Sequence, residues 1–308
     1  NDAGHCENGL YALKANYGFA DLKIDDLKKF RSIESFLTGH GEAHLFPQGV
    51  QISNGPLGSA FPQSQGLAMA DAHAGHKRVT VTAISDGACM EGEAREAMAA
   101  IPGFAKQGKL APFVLIISDN NTKLSGRIDQ ESFSMTPTFK SLADLGWKLV
   151  GLEDGHDLQK CFDTIAKCIE EAKQNPLVPI AIHARTIKGI GTKKTAESSS
   201  GGHGFPLKSP SELPAFLEEI YDGQTFPSAF VPWIEELKKF EAEQKAKAGP
   251  KVADEKIQIG ISAAMIKTRK NGLPLVSITS DLPGSTGVAG FRKEFPKDSL
   301  DVRMAESN

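Results

Sequence analysis

From about residue 78 the chain alternates short apolar runs with longer helix-forming stretches, and this alternation constrains the fold more than any other feature. "RVTVTAI", "FVLIIS" and "PIAIHARTI" read as strands. The middle run is apolar almost throughout, as expected for a strand buried on both faces. Between and around them, "EGEAREAMAAIPGFAKQ", "TPTFKSLADLG" and "DLQKCFDTIAKCIEEAKQ" carry apolar residues at helical spacing, with Pro102 expected to kink or end the first. Strands alternating with helices predict an α/β fold with a doubly wound parallel sheet. Such sheets bind ligands beyond the carboxyl ends of their strands, where Asp86, Asn120 and Lys188 fall.

With 308 residues the chain exceeds one comfortable core, so two domains are expected. Residues 1–205 form the first α/β domain in this reading. Residues 206–252 are a linker with one charged helix, "PWIEELKKFEAEQKAKA", and residues 253–308 begin a second α/β domain that they do not complete. A net charge of −3 argues against a nucleic-acid surface. The longest apolar run, about eight residues around "FVLII", is far short of the roughly 20 needed to cross a bilayer, so no membrane association is expected. The four cysteines include no C-x-x-C pair, which points to reduced thiols and a cytoplasmic setting.

In "AISDGACMEGEA", Asp86 stands between a strand and a helix, and Asn120 follows the next strand in "IISDNNTKLSG". Neighbouring parallel strands lie about 5 Å apart, so a carboxylate and an amide oxygen can converge on one hard cation. Oxygen donors suit Mg²⁺ or Ca²⁺, and Mg²⁺ usually completes its shell with phosphate oxygens and water. A helix starting near Ala88 would turn its N–H groups toward the same place. The arrangement suits a metal-bound diphosphate.

"SDGACMEGEAREAM" followed by "SDNNTKLSG" resembles the diphosphate-binding motif of thiamine-diphosphate enzymes, and most closely that of the transketolase family. The likeness extends through "AGH", "LTGHGEAH", "NGPLGSA", "EDGHD", "IKGIG", "GGHGFPL", "SDLPGS" and "MAESN", in the family's order. It implies that residues 1–205 bind the diphosphate and that residues 253–308 open the pyrimidine-binding domain. Thiamine diphosphate and Mg²⁺ (or Ca²⁺) are the implied cofactors. Asp86, Asn120 and the Thr122 carbonyl would hold the metal, and Gly87 would let the backbone approach the diphosphate. Glu91 would link two cofactor sites across a dimer. Gly55, Pro56 and Leu57 would contact the aminopyrimidine, while Lys188 and Asp281 would lie at the cofactor, Asp281 with Ser285 near the substrate channel. His5, His40 and His203 would touch cofactor or substrate oxygens, and Glu306 would hydrogen-bond the aminopyrimidine to start the chemistry. His156 reads as structural.

The implied reaction is transfer of a two-carbon ketol unit from a ketose to an aldose. The alternatives are a decarboxylating relative acting on a 2-oxo acid, of the dehydrogenase-component or deoxyxylulose-phosphate-synthase kind, and a half-enzyme completed by a separate chain. A homodimer or larger assembly is expected, and an isolated monomer should be inactive. The sequence departs from the family at Ser85, where a glycine is usual, and in a longer interval between Asp86 and Asn120. It also has "EKIQIGISAAM" where a phosphate-binding arginine is usual, which weakens the case for a sugar phosphate.

Overall fold

The computed structural model describes residues 1–124, 126–204, 207–248, 256–302 and 304. They divide into two compact units, Asn1–Asn120 with Ser134–Thr186 and Met304, and Asn121–Phe133 with Ile187–Arg303.

The first unit contains helices α1 (Glu7–Asn16), α2 (Ile24–Leu27), α3 (Ala60–His73) and α4 (Gly92–Lys106), with strands β1 (Thr80–Ser85) and β2 (Phe113–Asp119). In the second unit, α5 (Ile128–Glu131) lies in the stretch that follows β2. The first unit resumes with α6 (Thr136–Leu145), β3 (Lys148–Leu152), α7 (Leu158–Gln174) and β4 (Ile180–Arg185). The four strands form one parallel sheet in the order β1-β2-β4-β3. Its pleat sorts the core. Val114 packs with Ile180, Ile182, Ala184, Cys168 and Ala172 on the side covered by α7. Phe113, on the alternate pleat of β2, meets Phe61 of α3 and Trp147 instead. The sheet is therefore covered on both faces, as its apolar strands require.

Pro102 does not end α4, which runs on to Lys106. Proline has no N–H, so the Met98 carbonyl one turn earlier loses its helical donor. The Trp147 indole supplies the replacement, donating from Nε1 to the Met98 oxygen at 2.7 Å. Gly146, with φ of 104°, ends α6 in the left-handed region and turns the chain toward Trp147.

The second unit continues with α8 (Lys193–Ala196), α9 (Leu213–Ile220), α10 (Phe230–Lys247) and α11 (Ile257–Lys270). It then adds β5 (Ser277–Thr279), α12 (Ala289–Glu294) and β6 (Ser299–Asp301). β5 and β6 pair in parallel, Ser277 opposite Ser299. No described helix in either unit is long and apolar enough to cross a membrane.

Candidate active site at the strand ends

β1 and β2 run in register up to Ser85 and Ser118, and the Asp86 N–H extends the pairing by donating to the Ser118 carbonyl at 3.1 Å. The Asp86 residue is 1% exposed. Its Oδ1 accepts the Gly87 N–H at 2.8 Å and its Oδ2 the Asn120 N–H at 2.9 Å. Both oxygens are thus aimed by backbone. Asp86 and Asn120 come together as their strand-end positions predict. Ser85 takes a role of its own, its hydroxyl accepting the Ala88 N–H at 3.2 Å. The helix does not begin there, however: a tight 3₁₀ turn, Ala88–Met90, comes first, and α4 starts at Gly92.

Beside Asp86 lies a group that sequence reasoning missed. Asp119, the last residue of β2, is bonded by His183 Nε2 at 2.7 Å and by Arg185 Nη1, and also interacts with the Asp86 side chain. Burial pushes the Asp119 carboxyl up. The His183 hydrogen bond and the charges of Arg185 and His183 outweigh it and hold the carboxyl below its usual range. The signal was present in "IAIHAR", where two polar residues alternate with apolar ones in an otherwise buried strand. Phe139 of α6 packs against the His183 ring, with 4.9 Å between centroids. Cys89 is fully buried, and burial, then Asp86, Asp2 and Asp119, push its thiol far up. It stays protonated and offers no nucleophile.

The "GPLG" turn, with Gly55, Pro56 and Leu57, leads into α3 and is fastened by Asp2, another residue the sequence did not flag. Asp2 is fully buried and accepts the N–H groups of Gly58 at 2.8 Å and Phe61 at 3.2 Å. Burial is the largest influence on its carboxyl, which is pushed up despite those bonds. Gly58 has φ of 83°, and a Cβ there would crowd the Glu91 side chain. Glu91 itself is the residue immediately before α4. His5 and His40 meet edge to face, their centroids 6.4 Å apart. Gly87 has a right-handed helical backbone, so its glycine serves space rather than torsion: a Cβ would strike the Met304 thioether.

The other expected residues belong to the second unit. The Thr122 hydroxyl accepts from Arg127 Nη1 at 2.7 Å, and Arg127 also donates to the Ser198 carbonyl at 3.2 Å. Lys188 Nζ lies 2.9 Å from His203 Nδ1. Asp281, with φ of 57°, accepts from the buried Lys123 ammonium and from the Leu124 N–H at 2.9 Å. Glu306 lies outside the described residues.

A profile described as "Transketolase, thiamine diphosphate binding domain" matches residues 2–218. The chain belongs to the transketolase family. A transketolase from Streptococcus pyogenes is 35% identical over 230 residues, covering 71% of this chain and 29% of that protein. One from Staphylococcus aureus is 30% identical, covering 97% of this chain and 50% of that protein. This chain therefore spans half or less of these relatives. A transketolase variant from Pichia stipitis has a TM-score of 0.54 at 20% identity, over 98% of this chain and 52% of that one. A Campylobacter jejuni transketolase gives 0.52 at 23%, over 94% and 49%. The structural likeness confirms the α/β fold expected for a thiamine-diphosphate-binding domain.

The donors at the transketolase-family motif fit a hard divalent ion. Among the described residues no group of three His, Cys, Asp or Glu could hold a metal, so a thiolate- or imidazole-rich centre is not formed by them. The buried Asp86 carboxylate, held from two sides, instead offers oxygen, as would the side-chain amide of the neighbouring Asn120, and oxygen is the ligand type that Mg²⁺ and Ca²⁺ take.

Proposed function

We propose that the chain is the diphosphate-binding portion of a thiamine-diphosphate- and divalent-metal-dependent transferase that moves a two-carbon ketol unit from a ketose to an aldose in the cytoplasm. The observation that carries the proposal is the Asp86 carboxylate, buried at the end of β1 and aimed by the N–H groups of Gly87 and Asn120. Asp86 and Asn120 would hold Mg²⁺ or Ca²⁺ through side-chain oxygens and Thr122 through its carbonyl, the ion gripping the diphosphate. The bound thiazolium supplies an electron sink while a carbon–carbon bond breaks.

Around it, the chain's residues have separate tasks. Asp119 stays ionised beneath His183 and Arg185, adding negative charge next to Asp86 and so favouring a cation there. The "GPLG" turn, tied to Asp2, would present backbone groups to the aminopyrimidine. His5, His40 and His203 would contact cofactor or substrate oxygens, and general acid and base work by the histidines would assist. Glu306 would bond the aminopyrimidine, and Lys188 and Asp281 would border the cofactor. Glu91, packed against the "GPLG" turn, would carry contact between two sites in a homodimer, or in an assembly with a separate chain that completes the site.

Calorimetric titration of thiamine diphosphate with Ca²⁺ or Mg²⁺ tests the metal site directly. The unaltered chain should bind only when metal is present, and Asp86→Ala should remove that binding with little change in far-UV circular dichroism. Equal affinity in the variant overturns the assignment.

A further inference from the structure

In the first unit the 3₁₀ turn Gly4–Cys6 runs directly into α1, and it interlocks with the turn that carries His40. A Cβ at Gly4 would come within 2.7 Å of His40 Cδ2, so the residue before His5 lies against the His40 ring. On the far side the order reverses. A Cβ at Gly41 would meet Glu7 Cδ at 3.1 Å, so the residue after His40 lies against the side chain two places beyond His5. We infer that Glu7 is a positioning residue, its carboxyl group a wedge behind Gly41 that sets the His40 ring against His5 before any ligand binds. What this pair then touches rests on the function proposed above; its placement does not.

Neither ring holds this arrangement by itself. Both histidines are exposed, and an exposed side chain keeps its rotamer freedom unless neighbours restrict it. Their edge-to-face contact, with 6.4 Å between centroids, therefore needs backing from the chain on either side. Asn54 supplies it beneath Gly4: its Nδ2 donates to the carbonyls of Asn1 at 2.9 Å and Asp2 at 3.1 Å, and its Oδ1 takes up the space where a Gly4 Cβ would stand. Glu7 supplies it behind Gly41, together with Val50, whose Cγ1 would lie 3.2 Å from a Cβ there. The Thr38 hydroxyl holds the turn from within by donating to the His40 carbonyl. Packing alone would not choose a glutamate for that place. Glu7 is 6% exposed, its Oε2 has no hydrogen bond among the described residues, and the Lys14 ammonium stays 3.9 Å away, donating instead to the Gly49 carbonyl at 2.8 Å. A buried carboxylate so poorly met costs stability. The unmet oxygen is thus better explained by what the side chain positions than by what it stabilises.

Proton NMR of the chain without ligand reads the pair, each ring assigned by loss of its signals in His5→Gln and His40→Gln. The two rings should show a through-space cross-peak in the unaltered chain. Glu7→Gln, which keeps the wedge, should retain it, whereas Glu7→Ala should weaken it several-fold by letting the turn retreat into the room left behind. Gly41→Ala should weaken it as well, by pushing the turn off Glu7. The two changes together should restore it, since the added methyl fills the room that the lost carboxyl leaves. A purely structural role predicts the reverse, two damaging changes that add. The Trp147 indole N–H, in the same unit, reports that each variant is folded; where Glu7→Ala is not, Gly41→Ala and the double variant decide. An absent cross-peak in the unaltered chain, one of full strength in both single variants, or a double variant no stronger than the singles overturns the inference. Because no cofactor is added, failure here leaves the proposed function to its own titration, and failure of that titration leaves the role of Glu7 standing.

Discussion

Lys123 shows what burial asks of a single charge. Its side chain is 0% exposed and is surrounded by the carboxylates of Asp281, Asp301 at 3.4 Å and Glu131 at 3.2 Å. Burial alone would lower the lysine's pKa, but these carboxylates outweigh it and raise it. With the folded value above the unfolded one of about 10.4, the stability Lys123 contributes is complete below that pH and is lost as pH rises through the folded value. Lys123→Met takes a cation from two nearly buried carboxylates, of which Asp301 keeps Arg292 at 3.4 Å, and should cost about 3–5 kcal/mol by denaturant unfolding. The double variant with Asp281→Leu should recover much of that. A single-variant loss under about 1 kcal/mol would mean the charge reaches water after all. Asp119 has the opposite sign: its folded pKa is lowered, so its contribution is present above about pH 4 and lost as pH falls through the folded value. Arg185→Met should therefore move the acid-unfolding midpoint upward, and an unchanged midpoint would deny Arg185 that role. That Asp86 and Asn120 lie together was legible because each directly follows a strand whose pattern is local. Asp119's partners were not, since His183 and Arg185 lie 64 and 66 residues away. Lys123 meets Asp281 across 158 residues, a pairing no window of sequence displays.

At the level of elements, three of the four strands in the main sheet could be read from their apolar runs, and β3 could not. Lys148–Leu152 is an edge strand of five residues with only its last residue buried, and its lysine and glycine dilute the pattern. Of the two consequences expected of Pro102, a kink or an end, the helix shows no end there, and what accommodates the proline lies outside the helix. The Trp147 indole occupies the carbonyl that proline leaves without a donor. Trp147→Phe should expose that loss, leaving the buried Met98 oxygen unsatisfied at a cost of about 1–3 kcal/mol beyond the change in packing. In a Pro102→Ala background the helix can supply its own N–H to Met98, so the same Trp147→Phe change should cost measurably less. A double-mutant cycle isolates the coupling. Additive effects would show that the indole bond and the missing helical bond are unrelated.

At the scale of the whole molecule, the described residues fall into two compact units. Residues 121–133 lie inside the sequence span of the first unit and yet belong to the second, where Lys123 and Leu124 are held by Asp281. Asp86 and Asn120 belong to the first unit, so the ion they would hold is expected to add stability there. A ligand that binds only the folded state stabilises it by about 2.7 kcal/mol at a free concentration of 100 times its dissociation constant. For a protein of this size that corresponds to a rise in melting temperature of about 4 °C. Because a metal held by so few protein oxygens needs phosphate oxygens to complete its shell, the rise should require Ca²⁺ and thiamine diphosphate together. Either one alone should leave the transition nearly unmoved, and Asp86→Ala should melt at the same temperature with and without the pair. Differential scanning calorimetry decides it. Full stabilisation by thiamine diphosphate in the presence of a chelator would show that the diphosphate is gripped by protein groups alone, and that Asp86 serves only to order the turn after β1.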